Sequence, residues 1–168
     1  MIVGFDQYKH KYDFSGTKGV IHVGAHHGQE YNFYLETFGP EIATHWFEPL
    51  PTNFLGLQEN LGKKPNCFLY ECALGSKDDE LKFWVESDNN GESSSLLKPK
   101  EHLEIYPHIK FQEGESVPVK KLDSFKISDS SVLVLDVQGF ELEVLKGSES
   151  TLSLINHVFC EVNSVEMY

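Results

Sequence analysis

The chain has few basic residues for its number of acidic ones. Its 168 residues contain 14 Lys and Arg against 26 Asp and Glu, which gives a formal net charge of -12. Proteins that bind nucleic acid draw on a basic surface, so this balance argues against a nucleic acid partner. A nucleotide-sized ligand in a local pocket is still compatible with it.

Cysteines and long apolar runs are also scarce. The three cysteines, Cys67, Cys72 and Cys160, form no CxxC pair and sit in apolar runs, so we predict buried, reduced thiols. No apolar run approaches the roughly 18 residues of a membrane span, and the first residues lack the basic-then-apolar profile of a signal peptide. These absences predict a cytoplasmic protein without membrane contact.

The clearest positive signal is a glycine-containing turn near the N-terminus. An apolar run, Val20–Val23, meets the turn Gly24–Gly28, and a helical pattern begins directly after it, with apolar residues at Tyr31, Tyr34, Leu35 and Phe38. In a strand-turn-helix unit the glycines allow a close approach to a ligand, and the helix N-terminus offers free N–H groups. Such a turn also occurs without any ligand.

Strand and helix patterns then alternate. A second strand runs from Ala43 to Glu48, a helix carrying Phe54, Leu57 and Leu61 ends at Gly62, and a third strand is predicted over Cys67–Leu74. This βαβαβ order predicts a parallel sheet with right-handed crossovers.

The next part of the chain is less regular. We predict an edge or hairpin strand at Leu81–Val85, a polar loop over Asp88–Ser95 near the ligand, a short helix over Lys98–Ile105 and a short extended piece at Ser116–Lys120.

Two further parallel strands are predicted after it. Val132–Val137 is apolar on both alternating faces, as in a strand covered on both sides. A helix follows from about Phe140, and Ile155–Val162 is the fifth strand of the predicted sheet.

Candidate ligand-binding residues follow from this order. In an open α/β sheet ligands bind beyond the carboxyl ends of the strands, which selects Gly24–Gly28, Glu48, Cys72–Gly75 and Asp136. Glu48 lies 24 residues after Gly24, close to the ~20-residue separation at which an acidic residue meets ribose hydroxyls. A carboxylate suits that role because it accepts two O–H hydrogen bonds from a vicinal diol.

Several segments together resemble a known family. GVIHVGAHHGQE, HWFEPLPTNFLGLQENL, CALGS, SSSLL, VKKLDSF and LDVQGFELEVLKGSESTL are similar to segments of the FkbM-type methyltransferases. The resemblance runs from Gly19 to Glu161 and is most specific at the block Asp136–Glu141 with the following Leu145-Lys146-Gly147.

The resemblance implies the fold and the domain organisation. The expected fold is α/β, a doubly wound Rossmann-like and mostly parallel sheet in three α/β/α layers, as in class I methyltransferases. The chain is expected to be one domain, with a lead-in over 1–18, a cofactor-binding half over 19–75, a hairpin and loop insertion over 76–130, and strands four and five over 131–168.

The resemblance also implies S-adenosylmethionine as cofactor, with S-adenosylhomocysteine as product. Gly24 and Gly28 are expected at the methionine end, Glu48 at the ribose and Asp136 at the reacting centre. The full expected cofactor-binding set is His22, Gly24, Ala25, His26, Gly28, Glu48, Pro49, Cys72, Ala73, Leu74 and Asp136.

Candidates for chemistry and for acceptor binding complete the site. A hydroxyl acceptor calls for a general base, for which Asp136, Glu141 and His26 are the candidates in that order; Glu141 equally fits a helix first-turn carboxylate. The expected substrate-binding residues are Ser94, Ser95 and Gln138, with a solvated loop as the alternative for the serines. No metal is expected, because no Cys or His partner lies at ligand spacing from His26 and His27.

The sequence departs from the family pattern in two places. His22 and His26 replace the usual acidic residue before the glycine turn and the Gly or Asn within it. The chain also stops before the usual C-terminal helix and antiparallel hairpin, which predicts a poorly covered edge strand relieved by homo-oligomerisation or by a longer parent chain.

The function predicted on this basis is S-adenosylmethionine-dependent O-methylation of a small-molecule or saccharide acceptor. One alternative is a catalytically weak or inactive relative that acts as a binding or assembly module, which His22 and the short C-terminus favour. The other is a dinucleotide-binding oxidoreductase, which needs a fuller glycine fingerprint than Gly24–Gly28 provides.

Overall fold

A computed structural model describes residues 11–87, 91, 93–162 and 167–168 of the chain. The strands in this part are β1 (Gly19–Val23), β2 (Ala43–Phe47), β3 (Cys67–Tyr70), β4 (Ala73–Leu74), β5 (Asp79–Glu86), β6 (Phe111–Lys120), β7 (Val132–Leu135) and β8 (His157–Cys160). The helices are α1 (Tyr31–Phe38), α2 (Pro51–Leu61), α3 (His102–Ile105), α4 (Glu141–Lys146), α5 (Glu149–Leu152) and a 3₁₀ helix (Leu122–Phe125).

The larger sheet has five parallel strands in the order β3-β2-β1-β7-β8. Val23 at the end of β1 is in register with Phe47 of β2 and Leu135 of β7. The chain leaves β1 toward β2 on one side and returns to β7 on the other, so strand order reverses between β1 and β7. The carboxyl ends of these strands therefore border the crevice in which doubly wound folds bind ligands.

Helices cover both faces of this sheet, which confirms the predicted three-layer α/β fold. Val20, Trp46 and Val134 face α1 and α2 in one apolar cluster. Their strand neighbours point to the opposite face and pack with residues of the 3₁₀ helix, α4 and α5. Both faces of β1, β2 and β7 are thus buried, because side chains alternate along each strand.

A second sheet has the order β4-β6-β5, with β4 parallel and β5 antiparallel to β6. It corrects two predictions. The predicted third strand Cys67–Leu74 leaves the parallel sheet after Tyr70, because Ala73 packs instead with Phe83 and Val119 in a third apolar cluster. The predicted extended piece Ser116–Lys120 is the end of a ten-residue strand that pairs along its length with β5.

Several other predictions hold with shifted limits. The predicted strand Leu81–Val85 lies within β5, at an edge of the second sheet. The predicted helix over Lys98–Ile105 begins only at His102. Of the predicted segments, residues 1–10 of the lead-in, 88–90 and 92 of the polar loop, and 163–166 near the C-terminus lie outside the described residues.

The predictions of buried, reduced cysteines and of a poorly covered edge strand are met in part. All three cysteines are free thiols, but only Cys72 is buried, while Cys67 and Cys160 are half-buried. β8 is an edge strand of the parallel sheet with Val158 exposed, and oligomerisation at this edge stays a prediction. Within the described ranges, no helix has both the length and the apolar character needed to cross a bilayer.

Helix α2 offers a matched test of the packing. Leu57 is fully buried against the sheet, whereas Leu55 on the same helix is 60% exposed. We expect Leu57→Ala to lower the free energy of unfolding by about 2–5 kcal/mol, since it removes buried methyl groups and leaves a cavity. Leu55→Ala should change it by about 0.5 kcal/mol or less. Urea denaturation of the two variants checks this, and equal losses would contradict the packing described.

Candidate functional site

A cleft lies at the carboxyl ends of β1, β2 and β7, with an empty volume of about 570 Å³ that includes open solvent at its mouth. β5 and the segment after it contribute Phe83 and Leu96 to its lining. The cleft brings together ten of the residues singled out in the sequence: Gly24, His26, Glu48, Pro49, Cys72, Ala73, Leu74, Ser94, Asp136 and Gln138.

The floor of the cleft depends on a backbone contact between Gly24 and Asp136. Gly24 has a φ of 85°, and a Cβ added to it would overlap the carbonyl oxygen of Asp136. The N–H of Gly24 donates to the carbonyl of Phe47 at 3.0 Å, and the N–H of Asp136 donates to that of Val23 at 3.0 Å. Only glycine fits this position, so the ends of the three central strands can converge.

Glu48 is a buried carboxyl group at the side of the cleft. Its Oε2 accepts the N–H of His26 at 2.8 Å, and its Oε1 accepts the N–H of Leu50 at 2.9 Å. The side chain of Asn53 lies close enough to act on this carboxyl group. Because each carboxylate oxygen can accept more than one hydrogen bond, lone pairs remain for hydroxyl groups of a ligand.

Burial dominates the charge state of Glu48. It raises the pKa of this carboxyl from its ordinary value near 4.5 to about 7, against the opposing effect of the hydrogen bonds from Leu50, His26 and Asn53. A buried carboxyl whose donors are all uncharged binds its proton more tightly than an exposed one.

His26 and His27 shape the glycine turn. His26 has a φ of 46°, in the left-handed region, and its ring stacks on that of His27 at 3.9 Å between centroids. The side-chain nitrogen of Gln29 donates to Nδ1 of His26 at 2.8 Å, as the amide is oriented. Nε2 of the neutral ring then carries the proton, which works against the predicted role of His26 as a general base.

Asp136 is held by the residue two positions later. Gln138 adopts a φ of 53°, and its Nε2 donates to Oδ1 of Asp136 at 2.7 Å and to Oε2 of Glu161 at 3.0 Å. Asp136 and Glu161 follow β7 and β8, which are adjacent parallel strands. Two carboxylates from neighbouring strand ends therefore meet at one amide group.

The structure places His22 away from the cleft. Its Nδ1 lies 2.8 Å from the Tyr34 hydroxyl, and its ring stacks on Trp46 with 5.1 Å between centroids. Burial lowers the pKa of His22, and the charges of Glu30 and Asp136 oppose that shift. The ring is part of the packing between β1 and α1, so the geometry does not support direct contact with a cofactor.

Four other predicted site residues also lie behind the cleft rather than on its wall. Ala25 is buried in the apolar cluster under α1 and α2, and Gly28 packs against Leu61 of α2. Ser95 is buried and donates to the carbonyl of Gln138 at 2.7 Å. Glu141 accepts N–H groups from the turn before α4. Their geometry supports the fold of the turns, and their roles toward a ligand stay predictions.

The cleft also has wall residues that the sequence reasoning missed. They are Asn53, Phe83, Leu96 and Phe140. Phe83 carries no sequence signal for a site, because an apolar residue in an edge strand is ordinary. Asn53 does carry a weak signal, because it is a polar residue in the first turn of the helix that follows Glu48.

Carboxyl groups outnumber basic groups in the lining of the cleft. Among its described lining residues are two carboxyl groups, Glu48 and Asp136, and no lysine. Such a lining suits a ligand with positive charge and disfavours a diphosphate. No group of three or more His, Cys, Asp or Glu side chains suited to a metal ion is found in residues 11–87, 91, 93–162 and 167–168.

Comparison with known proteins gives a family match over most of the chain. The family model described as the methyltransferase FkbM domain matches residues 22–168. A crystal structure of the methyltransferase FkbM from Methylobacillus flagellatus superposes with a TM-score of 0.55 and 15% identity, over 88% of this chain and 36% of that one. At that identity the likeness shows the fold alone.

Two curated relatives also match. One is the 2-O-methyltransferase NoeI of Sinorhizobium fredii, 26% identical over 159 residues, which covers 89% of this chain and 65% of that protein. The other is the hexuronic acid methyltransferase AglP of Haloferax volcanii, 27% identical over 167 residues, which covers 90% of this chain and 64% of that protein. The chain therefore spans slightly less than two thirds of the length of these relatives.

The burial of Glu48 predicts a pH-dependent stability difference. Because its pKa is raised in the folded state, wild-type folding loses free energy as pH rises from about 4.5 to 7, and the loss is complete above that range. Glu48→Gln lacks this titration. We expect the difference in unfolding free energy to move by about 3 kcal/mol in favour of the variant between pH 4.5 and 8, as measured by urea denaturation. A difference that stays constant with pH would show that Glu48 is not desolvated.

Proposed function

Since the chain belongs to the FkbM methyltransferase family, we propose that it transfers a methyl group from S-adenosylmethionine to a hydroxyl group of a sugar-like acceptor. The observation that carries the proposal is the cleft at the carboxyl ends of β1, β2 and β7, with a glycine floor at Gly24 and carboxyl groups at Glu48 and Asp136. Its position is the one at which doubly wound folds bind ligands.

The donor groups of the cleft fit this cofactor. S-adenosylmethionine has a sulfonium and an ammonium group against one carboxylate, so it carries net positive charge at neutral pH. A cleft lined by two carboxyl groups and, among described residues, by no lysine favours such a ligand. When bound, the cofactor supplies an electrophilic methyl group.

Individual residues are proposed to hold its parts. Glu48, the buried carboxyl after β2, accepts hydrogen bonds from the ribose hydroxyls with the lone pairs that its backbone donors leave. Cys72, Ala73 and Leu74 form the apolar wall for the adenine. Phe83 lies on the same cleft wall and extends this apolar surface.

The ammonium group needs a negative partner, because His22 stands where the family usually has an acidic residue. The charges of Glu30 and Asp136 both act on the buried His22, so both carboxylates lie near the glycine turn. Of the two, Asp136 lines the cleft. We assign the compensating negative field at the methionine end to these two residues.

The acceptor is proposed from the relatives. One is named as a 2-O-methyltransferase and the other as a hexuronic acid methyltransferase, and both names fit hydroxyl groups on polar, sugar-like molecules. Ser94 and Gln138 line the same cleft and offer hydroxyl and amide groups for such an acceptor. Methyl transfer to a hydroxyl requires close approach of the reacting atoms, to roughly 3–3.5 Å.

A dinucleotide-binding function fits the cleft less well. A diphosphate carries negative charge, and the described lining offers it two carboxyl groups. A binding or assembly module without catalysis is the stronger alternative, because His22 replaces the acidic residue that the family usually has before the glycine turn. Cofactor binding and turnover separate these functions.

Calorimetric titration tests cofactor binding directly. We expect S-adenosylmethionine and S-adenosylhomocysteine to bind, and NADH not to bind. Glu48→Ala should weaken both interactions by about 1–3 kcal/mol, the scale of a charge-assisted hydrogen bond, while Glu59→Ala on the exposed side of α2 should leave them unchanged. No binding of either ligand at millimolar concentration would contradict the proposal.

Asp136→Asn separates binding from chemistry. If Asp136 takes up the hydroxyl proton, the substitution should lower kcat by about 10²–10⁴-fold and change cofactor affinity much less. The measurement combines calorimetry with release of S-adenosylhomocysteine in the presence of methyl hexosides and methyl hexuronosides. Equal losses of affinity and turnover would leave Asp136 with a role toward the cofactor only and none in proton transfer.

A further inference from the structure

We propose that Glu161 forms a proton-sharing pair with Asp136, and that this pair accepts the proton of the acceptor hydroxyl. The inference rests on the proposed function and adds a residue that the sequence reasoning left out of the site. Asp136 is the member that faces the cleft, and Glu161 acts through it as a positioning residue.

The pair is held together by one amide group. Nε2 of Gln138 has two hydrogens, and it donates to Oδ1 of Asp136 at 2.7 Å and to Oε2 of Glu161 at 3.0 Å. Because both bonds start from one nitrogen atom, the amide holds the two carboxyl groups close together. Two carboxylates so close to each other hold one proton more tightly than a single one does.

The other end of the Gln138 amide contacts Tyr168. The Tyr168 hydroxyl lies 3.1 Å from Oε1 of Gln138 and 3.0 Å from the carbonyl of Ser93. Its one hydrogen is shared between these two acceptors, and Nε2 of Gln138 faces the carboxyl groups. Ser95, which is buried, donates to the Gln138 carbonyl at 2.7 Å. These contacts hold a non-glycine residue at a φ of 53°, a conformation that surrounding structure must support.

The charges around the pair are mostly negative. Burial raises the pKa of Glu161, the charge and hydrogen bond of Asp136 raise it further, the hydrogen bond from Gln138 lowers it, and Glu141 raises it. Several titratable groups interact electrostatically with the two carboxyl groups. They are Glu141, Cys160 and Tyr168 near Glu161, and His22 and Tyr34 near Asp136. The charges of Asp136 and Glu141 therefore favour a proton on Glu161.

In the proposed reaction, Asp136 and Glu161 take up the proton that the acceptor hydroxyl loses. The acceptor oxygen forms the new O–CH₃ bond, and its O–H bond breaks with the proton passing to Asp136 in the doubly ionised pair. The methyl–sulfur bond breaks with its electron pair left on sulfur, which becomes a neutral thioether. The proton is shared with Glu161, which lies at the solvent-open edge of β8, and leaves to water from there.

Carbon-13 NMR of carboxyl-labelled protein tests the sharing without need of turnover. The Glu161 signal is identified by its loss in Glu161→Gln. We expect it to titrate above the ordinary glutamate value, and its midpoint to fall by about one pH unit in Asp136→Asn, since the like charge is removed. A Glu161 that titrates at the ordinary value, or that ignores the loss of Asp136, would overturn the proposal.

The kinetic arm uses the pH profile of methyl transfer to methyl hexosides and hexuronosides. Glu161→Gln should reduce kcat at pH 7 about tenfold, shift the acidic limb of kcat to lower pH by about one unit, and leave cofactor affinity within twofold. Glu149→Gln, an exposed carboxyl on α5, is the matched control and should behave as wild type. An unchanged limb, or a loss confined to cofactor affinity, would overturn the role of Glu161.

The two proposals fail in different ways. If wild type binds no S-adenosylmethionine, the proposed function fails, and the NMR titration still decides whether Asp136 and Glu161 share a proton. If wild type binds the cofactor and methylates an acceptor while Glu161→Gln keeps its pH profile, the function stands and the pair is refuted.

Discussion

The site depends on the close approach of the backbone at Gly24 to the carbonyl of Asp136. Any side chain at position 24 would overlap that carbonyl, and the contact lets the loops after β1 and β7 meet. The N–H groups of Gly24 and Ala25 both donate to the carbonyl of Phe47, at 3.0 Å each, which ties the end of β2 to the same point. The two strand ends that carry the carboxyl groups of Glu48 and Asp136 are therefore tied to the end of β1 by backbone contacts.

The same arrangement places ionisable groups where they cost folding free energy. Glu48 is 4% exposed, and its partners among the described contacts are N–H and amide groups. The carboxyl groups of Glu161 and Asp136 meet at the single amide nitrogen of Gln138. Folding alone favours neither arrangement, whereas a ligand with positive charge and hydroxyl groups would satisfy both. Natural proteins tolerate such local costs at functional sites.

The fold was predictable to the extent that its signals are local. β1, β2 and β7 are short apolar runs beside turns or helices, and their alternation with helical patterns predicts the parallel sheet. The path from Cys72 to Leu74 was mispredicted because its apolar run reads as one strand, while the pairing partner lies in β6, more than 40 residues later. β6 is mostly polar in its first half, after Phe111, and its pairing with β5 is what makes this part a strand.

The site was predictable where residues follow strand ends, as for Gly24, Glu48 and Asp136. It was not predictable where a side chain has a second use: His22 lies in the glycine motif but packs against Tyr34 and Trp46, and Ser95 supports the Gln138 turn. Glu161 escaped notice because its partner is defined by the order of β7 and β8 in the sheet and by the amide of Gln138. Neither the order of the strands in the sheet nor the direction of the Gln138 side chain can be read from the spacing of residues in the sequence.

A crystal structure of the chain with S-adenosylhomocysteine tests the central claim most directly. The account predicts the ligand in the cleft, its ribose hydroxyls within about 2.6–3.2 Å of the Glu48 carboxyl oxygens, its adenine against Ala73 and Leu74, and its sulfur beside Asp136. A ligand bound elsewhere, or one whose ribose makes no contact with Glu48, would contradict it.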